Sequence, residues 1–292
     1  MRILVTGGSG FIGKNLVPYL SARHTVLSPD RSELELTDAD AVRAYMRKNV
    51  VDVVVHAAVK PGHRNSMDAS GQLYDNMQMF FGVARNSDCF SRLIFLGSGL
   101  VYSNEHYLPK MKETYFDTHM PSDEGGLSKY VISKYIEKNK NMVELRPFGV
   151  FGPHEDYSIR FISNMVCKAM FDLPLTIKQN KKFDYVHVND LCKLIERFSS
   201  KNQKYNSYNI TPNSAVELVQ IANMVLKISG KDLPIVLKDR QIGVEYSGDN
   251  SRLMREFSDF KFESLEKSIE GLYNWYDKNR DMVKKELLLH DK

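Results

Sequence analysis

Short apolar runs alternate with longer amphipathic segments over the first half of the chain. The runs RILVT, DVVVH and RLIFL, which begin near residues 2, 52 and 92, have the length and apolar content of buried strands. Segments between them, such as FIGKNLVPYLSA, carry apolar residues at the spacing of one helix face. This alternation predicts crossover connections, and hence a parallel sheet with helices on both faces. We expect a doubly wound α/β fold.

The pattern changes after FGVFGP, a segment that ends at Pro153, because shorter and more polar segments follow it. We predict one domain over residues 1–152 and a second, smaller α/β lobe mainly over residues 153–292. A stretch near residues 184–200 reads as a strand and a helix that return to the first domain. The two lobes are therefore expected to be interleaved.

Composition narrows the class of protein. Of the 292 residues, 42% are hydrophobic and 26% are charged, which is ordinary for a globular protein. The net charge is only +4, and the lysines and arginines are interspersed with acidic residues, which gives no support for nucleic-acid binding. Neither a signal peptide nor a membrane-spanning run is visible, so we expect a cytoplasmic protein without membrane contact. The widely spaced Cys89, Cys167 and Cys192 predict buried, reduced thiols, and we expect no metal site.

A glycine-rich turn, TGGSGFIG, follows the first predicted strand and opens the first predicted helix. Read from Gly8 it matches G-x-G-x-x-G, and read from Gly7 it matches G-x-x-G-x-x-G. Glycines allow a tight turn and let a pyrophosphate approach backbone amides at the positive end of the helix. The sequence therefore predicts a dinucleotide site whose residues here are Gly7, Ser9, Gly10, Phe11, Ile12 and Gly13.

Two adjacent residues bear on which dinucleotide binds. Asp30 lies about 20 residues after the glycine turn, where an acid would bind the ribose hydroxyls of NAD. Arg31 could instead bind the additional phosphate of NADP through paired, charge-assisted hydrogen bonds. We favour NADP(H), and NAD(H) remains possible.

Three residues could form a carbonyl redox site. Ser98 follows a predicted strand at the sheet edge where ligands bind in open α/β sheets. Tyr130 and Lys134 lie four residues apart, so both side chains share one helix face. A serine hydroxyl can bond a substrate oxygen, a phenol can exchange a proton with it, and a nearby lysine favours the phenolate. We predict these three residues as catalytic, with Ser98 and Tyr130 also binding the substrate.

Six segments, in order along the chain, carry a family resemblance: TGGSGFIG, VVVHAAVKPG, FLGSGLVY, YVISK, LRPFGVFGPH and FDYVHVNDL. The chain resembles the extended short-chain dehydrogenases/reductases, the NAD-dependent epimerase/dehydratase group that acts on nucleotide sugars. The resemblance implies a Rossmann domain, a C-terminal sugar-nucleotide lobe, a Ser-Tyr-Lys catalytic set with Lys134 on the nicotinamide ribose, and homodimers formed through the helices beside Tyr130. It also implies that the cofactor is lined by His56, Ala57, Ala58, Pro147, Gly149 and Val150.

Within the family, the segment SELELTDADAVRAYMRKNVVDVVVHAAVKPG is most similar to GDP-L-fucose synthase-like 4-ketoreductases. The acid–base pair that serves epimerisation in that group is replaced here by Leu100 and Arg160. The adjacent Asp-Glu of the 4,6-dehydratases is replaced by Gly99-Leu100. The usual asparagine and arginine of the substrate site are replaced by Gly149 and Phe183. Simple reduction is therefore expected.

The same resemblance points to Lys168 and Asp249 as substrate-binding residues. An exposed lysine and a helix N-cap aspartate are the alternative interpretations.

Three functions follow as hypotheses. The first is an NADPH-dependent reductase of the C4 ketone of a nucleotide-linked 4-keto-6-deoxyhexose, an activity typical of polysaccharide biosynthesis. The second is a 4-epimerase that keeps NAD bound and uses the same three residues. The third is a non-catalytic dinucleotide-binding protein, which the presence of Ser98, Tyr130 and Lys134 together disfavours.

Overall fold

The computed structural model describes residues 1–62 and 70–289. Its strands are β1 Arg2–Thr6, β2 Thr25–Leu27, β3 Val53–His56, β4 Arg92–Leu96, β5 Met142–Pro147, β6 Gly149–Phe151, β7 Leu175–Gln179, β8 Lys182–Phe183, β9 Tyr185–His187, β10 Ser207–Ile210, β11 Val216–Glu217 and β12 Ile235–Asp239. Its α-helices are α1 Phe11–Ser21, α2 Ala39–Lys48, α3 Gln72–Ala84, α4 Glu124–Ile136, α5 Phe161–Met170, α6 Val188–Ser200, α7 Leu218–Ser229, α8 Ser251–Glu256 and α9 Leu265–Lys278. Residues 290–292, the end of the expected second lobe, lie outside the described residues.

A parallel sheet of six strands forms the centre of the fold, in the order β10-β5-β4-β3-β1-β2. The apolar cluster on one face joins the sheet to α1 and α6, and the cluster on the other face joins it to α2, α3 and α4. Helices on both faces explain why the strands are almost continuously apolar. The expected doubly wound, Rossmann-type fold is confirmed.

The carboxyl ends of the central strands lie level with one another. In the register of the sheet, Thr6 pairs with His56, His56 with Phe95, and Phe95 with Glu144. Loops that leave these strands therefore start side by side along one sheet edge. This is the edge at which open α/β sheets bind their ligands.

A second apolar cluster joins α5, α7 and α9 to the paired strands β7 and β12. Chain segments cross between this cluster and the central sheet more than once. Helix α6 packs on α1, and β10 adds the sixth strand of the sheet beside β5. The sequence pattern did not indicate β10, because SYNI is short and its burial depends on the neighbouring strand.

Among the described residues, no helix is both long and apolar enough to cross a membrane. Cys89, Cys167 and Cys192 are unpaired and buried. Burial raises the pKa of each thiol. The prediction of buried, reduced thiols agrees with this arrangement.

Candidate active site

The glycine turn links β1 to α1 and packs against the end of β3. Gly7 has φ +74°, and a Cβ atom there would lie 2.7 Å from the backbone of Ala58. A Cβ on Gly13 would lie 2.5 Å from Gly8 Cα, so the first turn of the helix approaches the loop closely. Glycine is required at both positions because backbone already occupies the space of a side chain.

The start of α1 can accept an anion. Gly10 is the N-cap residue, it provides no side-chain cap, and the first turn has no acidic residue. The amides of Phe11 and Ile12 are at the first helical positions, where no intrahelical acceptor exists. Ser9 is exposed next to them. These groups fit the pyrophosphate of a dinucleotide, which when bound would supply or accept a hydride.

Asp30 and Arg31 follow β2 and are both exposed, and both already have partners in the loop. Asp30 accepts hydrogen bonds from the Ser32 hydroxyl at 2.6 Å and from the backbone amides of Ser32 and Glu33, which lower its pKa. The Arg31 guanidinium lies 2.5 Å from Glu35 with 86% of its side chain exposed. Ser28, which the sequence did not indicate, lies against Gly8 of the glycine turn.

The end of β3 contributes backbone to the site, and its histidine belongs to the core. His56 is 1% exposed, its Nδ1 lies 3.0 Å from the Thr6 hydroxyl, and its ring packs between Phe80 and Phe95. Burial lowers its pKa to about 3, so the ring is neutral. The expected cofactor contact of His56 can therefore involve only its backbone, whereas Ala57 and Ala58 adjoin the glycine turn.

Ser98 lies two residues beyond β4 and begins a short 3-10 helix over Gly99–Tyr102. Its hydroxyl accepts a hydrogen bond from the Leu100 amide at 3.2 Å. This bond uses a lone pair of the oxygen and leaves the hydroxyl proton for a ligand. Helix α4 packs on this 3-10 helix, which brings the serine segment beside the helix that carries Tyr130 and Lys134.

Tyr130 and Lys134 lie on one face of α4 and are joined by a carboxylate. Asp117 Oδ1 accepts a hydrogen bond from the Tyr130 hydroxyl, and its Oδ2 accepts one from Lys134 Nζ at 2.7 Å. The bond to Asp117 raises the pKa of Tyr130, with Lys134 opposing it more weakly. The charge of Lys134 favours the phenolate, but the hydrogen bond from the neutral phenol to the Asp117 carboxylate outweighs it in this arrangement.

A group of aromatic rings in mutual contact, which we call the aromatic wall, borders the site. Tyr246 Oη would lie 2.5 Å from a Cβ on Gly99, next to Ser98. The Tyr107 ring stacks on Tyr246 at 4.8 Å, and its hydroxyl is buried without a hydrogen-bond partner among the described residues. The members of the aromatic wall are Tyr107, Phe148, Phe183, Tyr185 and Tyr246.

Gly149 and Phe183, which replace the family's usual substrate-site residues, lie next to each other. A Cβ on Gly149 would lie 2.8 Å from the rings of Phe183 and Tyr185 and from the carbonyl of Asp184. Strand β9 therefore packs directly on Gly149, and Phe183 fills the space that a longer side chain there would need. Pro147 is buried at the end of β5, and Val150 packs into the core.

The two substrate residues indicated by the resemblance lie in α5 and just before α8. Lys168 is only 4% exposed and donates a hydrogen bond to the Thr176 hydroxyl, so its interpretation as an exposed lysine is wrong. Asp249 precedes the N-cap residue of α8, Asn250, and accepts a hydrogen bond from the Ser251 amide at 2.9 Å. Substrate binding by either residue remains a prediction.

A buried charged pair supports the strand below the site. Arg146 Nε lies 2.8 Å from Glu144 Oε2, and neither side chain is exposed. Ser133 of α4 donates to the same carboxylate at 2.7 Å, while the guanidinium lies 4.6 Å from the centre of the Phe116 ring. Burial opposes the charge of Arg146, but Glu144 and Tyr102 outweigh it and raise the pKa of the guanidinium. Arg146 therefore stays charged, and the Ser133–Glu144 hydrogen bond ties α4 to β5.

No group of three histidine, cysteine, aspartate or glutamate side chains that could hold a metal ion occurs in residues 1–62 and 70–289. Sequence reasoning missed Asp117, Ser28 and Tyr246, which the fold brings next to the predicted site residues. The only signal in the sequence is weak, since each is a polar residue in a loop after a strand or before a helix.

Comparison with known proteins gives one family match and many related chains. The model of the NAD dependent epimerase/dehydratase family matches residues 3–211. GDP-6-deoxy-D-talose 4-dehydrogenase of Aggregatibacter actinomycetemcomitans is 27% identical over 293 residues, covering 94% of this chain and 97% of that protein. A dTDP-4-dehydro-6-deoxy-D-allose reductase of a Streptomyces species is 26% identical over 320 residues, covering 94% and 95%.

Among solved structures, GDP-mannoheptose C4 reductase from Campylobacter jejuni with NADP bound superimposes with a TM-score of 0.80 at 21% identity, over 94% of this chain and 98% of that one. This likeness shows the fold. The family match covers most of the chain, and it includes the glycine turn, Ser98, Tyr130 and Lys134. The chain therefore belongs to the NAD-dependent epimerase/dehydratase family, the extended short-chain dehydrogenases/reductases.

Proposed function

We propose that this protein uses NADPH to reduce the C4 ketone of a nucleotide-linked 4-keto-6-deoxyhexose. The observation that carries the proposal is the convergence of Tyr130 and Lys134 on one face of α4 beside the Ser98 segment. Two relatives over nearly the whole chain are named for redox chemistry at C4 of 6-deoxy sugars. They support the substrate class, while the nucleotide is left open.

The three catalytic residues have different tasks. The Ser98 hydroxyl donates a hydrogen bond to the carbonyl oxygen, which positions it and favours negative charge on it. Tyr130 then gives its proton to that oxygen, as the general acid that reduction needs. Lys134 binds the ribose hydroxyls of the dinucleotide and offsets the charge left on the phenolate.

The surroundings favour reduction over more complex chemistry. Leu100 and Gly99 provide no acid or base next to Ser98, and Tyr246 covers Gly99. A proton at C3 or C5 therefore has no acceptor in this segment. The apolar faces of the aromatic wall also suit the methyl group of a 6-deoxy sugar.

Preference for NADP is supported by Arg31 and Ser28 around the end of β2. Arg31 contacts Glu35 through Nε and its guanidinium is exposed, so its terminal amino groups can reach a ribose phosphate; Ser28 lies against the glycine turn. The alternative, an NAD-dependent 4-epimerase, is favoured by Asp30. Its Oδ1 accepts three hydrogen bonds from its own loop, which reduces its capacity to bind ribose hydroxyls.

The test follows NADPH absorbance with a panel of GDP-, dTDP- and CDP-4-keto-6-deoxyhexoses, with the product sugars analysed alongside. We expect stoichiometric NADPH consumption with one of them. Tyr130→Phe should lower kcat by about 10²- to 10⁴-fold, typical of lost general acid catalysis, while NADPH still binds. No consumption across the panel, together with release of tightly bound NAD and interconversion of a UDP-hexose pair, would establish the epimerase instead.

A further inference from the structure

Asp117 makes contacts that the proposed reaction does not use. Its two carboxylate oxygens accept hydrogen bonds from Tyr130 and from Lys134, the residues proposed to bind the sugar oxygen and the ribose hydroxyls. The Tyr130 hydroxyl has a single proton, and here that proton is directed at Asp117. While this bond persists, Tyr130 cannot donate to a ketone.

We propose that Asp117 is an internal ligand of the Tyr130–Lys134 pair, held there in the empty enzyme and displaced when dinucleotide and sugar bind. The inference rests on the proposed function, because it takes Lys134 as the group that binds the ribose. A carboxylate presents two oxygens to an ammonium and a hydroxyl, much as a ribose diol and a sugar carbonyl would. Asp117 is thus a positioning residue that sets the affinity for the dinucleotide.

The loop around Asp117 is fixed, whereas the carboxylate can turn away. Phe116, the preceding residue, is buried between the Arg146 guanidinium at 4.6 Å and the Tyr130 ring at 5.4 Å. Glu113 is tied to the Asn209 amide at 2.9 Å. The side chains of Asp117 and Lys134 are 45% and 39% exposed, so rotation of the Asp117 side chain into solvent meets little obstruction.

The backbone indicates that this position suits aspartate, asparagine or glycine. Asp117 has φ +73°, which those residues tolerate best. Asp117→Asn keeps the shape and removes the charge, and Asp117→Gly removes the side chain without backbone strain. Glu137→Gln is the matched control, because Glu137 also acts electrostatically on Tyr130 and Lys134 from the end of α4 but makes no hydrogen bond to either.

The primary experiment measures the dissociation constant of NADPH by fluorescence titration, without any sugar. Asp117→Gly should bind NADPH about three- to tenfold more tightly than the unsubstituted protein, because the carboxylate no longer competes for Lys134 and Tyr130. This range corresponds to the free energy of exposed charged contacts. Glu137→Gln should stay within about twofold. Unchanged or weaker binding in Asp117→Gly overturns the inference. If no form binds NADPH or NADH, the proposed function fails instead.

The pH dependence of reduction gives a second readout. The charged groups acting on Tyr130 are Asp117, Lys134 and Glu137. The profile of kcat/KM reports the free enzyme, and the profile of kcat reports the complex. Because Asp117 raises the Tyr130 pKa only in the empty site, Asp117→Asn should lower the basic pKa in kcat/KM and leave that in kcat unchanged. An equal shift in both profiles would mean that Asp117 stays in place.

Discussion

Replacing Gly13 by alanine tests the role of the glycine turn most sharply. An added Cβ would lie 2.5 Å from Gly8 Cα and 2.6 Å from Gly8 O, where ordinary contacts are about 3.4 Å or longer. The start of α1 must then move by about 1 Å away from the loop. Overpacking of this kind costs about 1–3 kcal/mol, which lowers Tm by about 2–4 °C per kcal/mol in a chain of this size class.

The same movement should weaken dinucleotide binding. A hydrogen bond between a backbone amide and a charged phosphate contributes about 1.5–3 kcal/mol, so loss of one such bond weakens NADPH binding by about 10- to 100-fold. The assay is NADPH titration combined with thermal unfolding. Gly271→Ala in α9 is the matched control, because nothing lies within 4 Å of its added Cβ, and it should leave NADPH binding unchanged. Full NADPH affinity in Gly13→Ala would refute this assignment of the phosphate site.

Three further predictions concern stability and cofactor preference. Arg146→Met should destabilise the protein by about 3–5 kcal/mol in urea unfolding, because the fully buried Glu144 loses its partner. Adding Glu144→Leu to this variant should restore much of the lost stability. Burial raises the pKa of Glu155 to about 8, above its value in the unfolded chain, so the free energy of unfolding should fall as pH rises from about 4.5 to 8. Glu155→Gln should remove this pH dependence when unfolding is measured across the same range. Arg31→Ala should reduce the NADPH-to-NADH ratio of kcat/KM by about tenfold or more, and an unchanged ratio would argue against Arg31 as the phosphate ligand.

Features encoded by local spacing could be predicted from the sequence. The glycine turn requires glycines at fixed offsets between a strand and a helix, and Gly7 and Gly13 show the steric reason. Tyr130 and Lys134 share a helix face because of their separation along the chain. The alternation of apolar runs likewise predicts the doubly wound sheet, because it reflects burial on both faces.

Features that depend on distant segments could not be predicted in this way. The aromatic wall joins residues from five separate loops and strands, and no short pattern relates Tyr107 to Tyr246. Asp117 meets Tyr130 only because Phe116 anchors its loop over β5. Exposure is the ordinary expectation for a lysine such as Lys168, whereas its bond to Thr176 arises from the packing of α5 on β7.

Transfer of a labelled hydride is the most direct test of whether this protein reduces a sugar ketone at C4. The protein would be incubated with NADPH carrying deuterium at the transferable C4 position of the nicotinamide, together with the 4-keto-6-deoxyhexose nucleotide that the panel identifies. We expect one deuterium per product molecule, located at C4 of the sugar, with NADP⁺ formed in equal amount. A product without deuterium, or an epimerised sugar formed without NADPH consumption, would contradict this expectation.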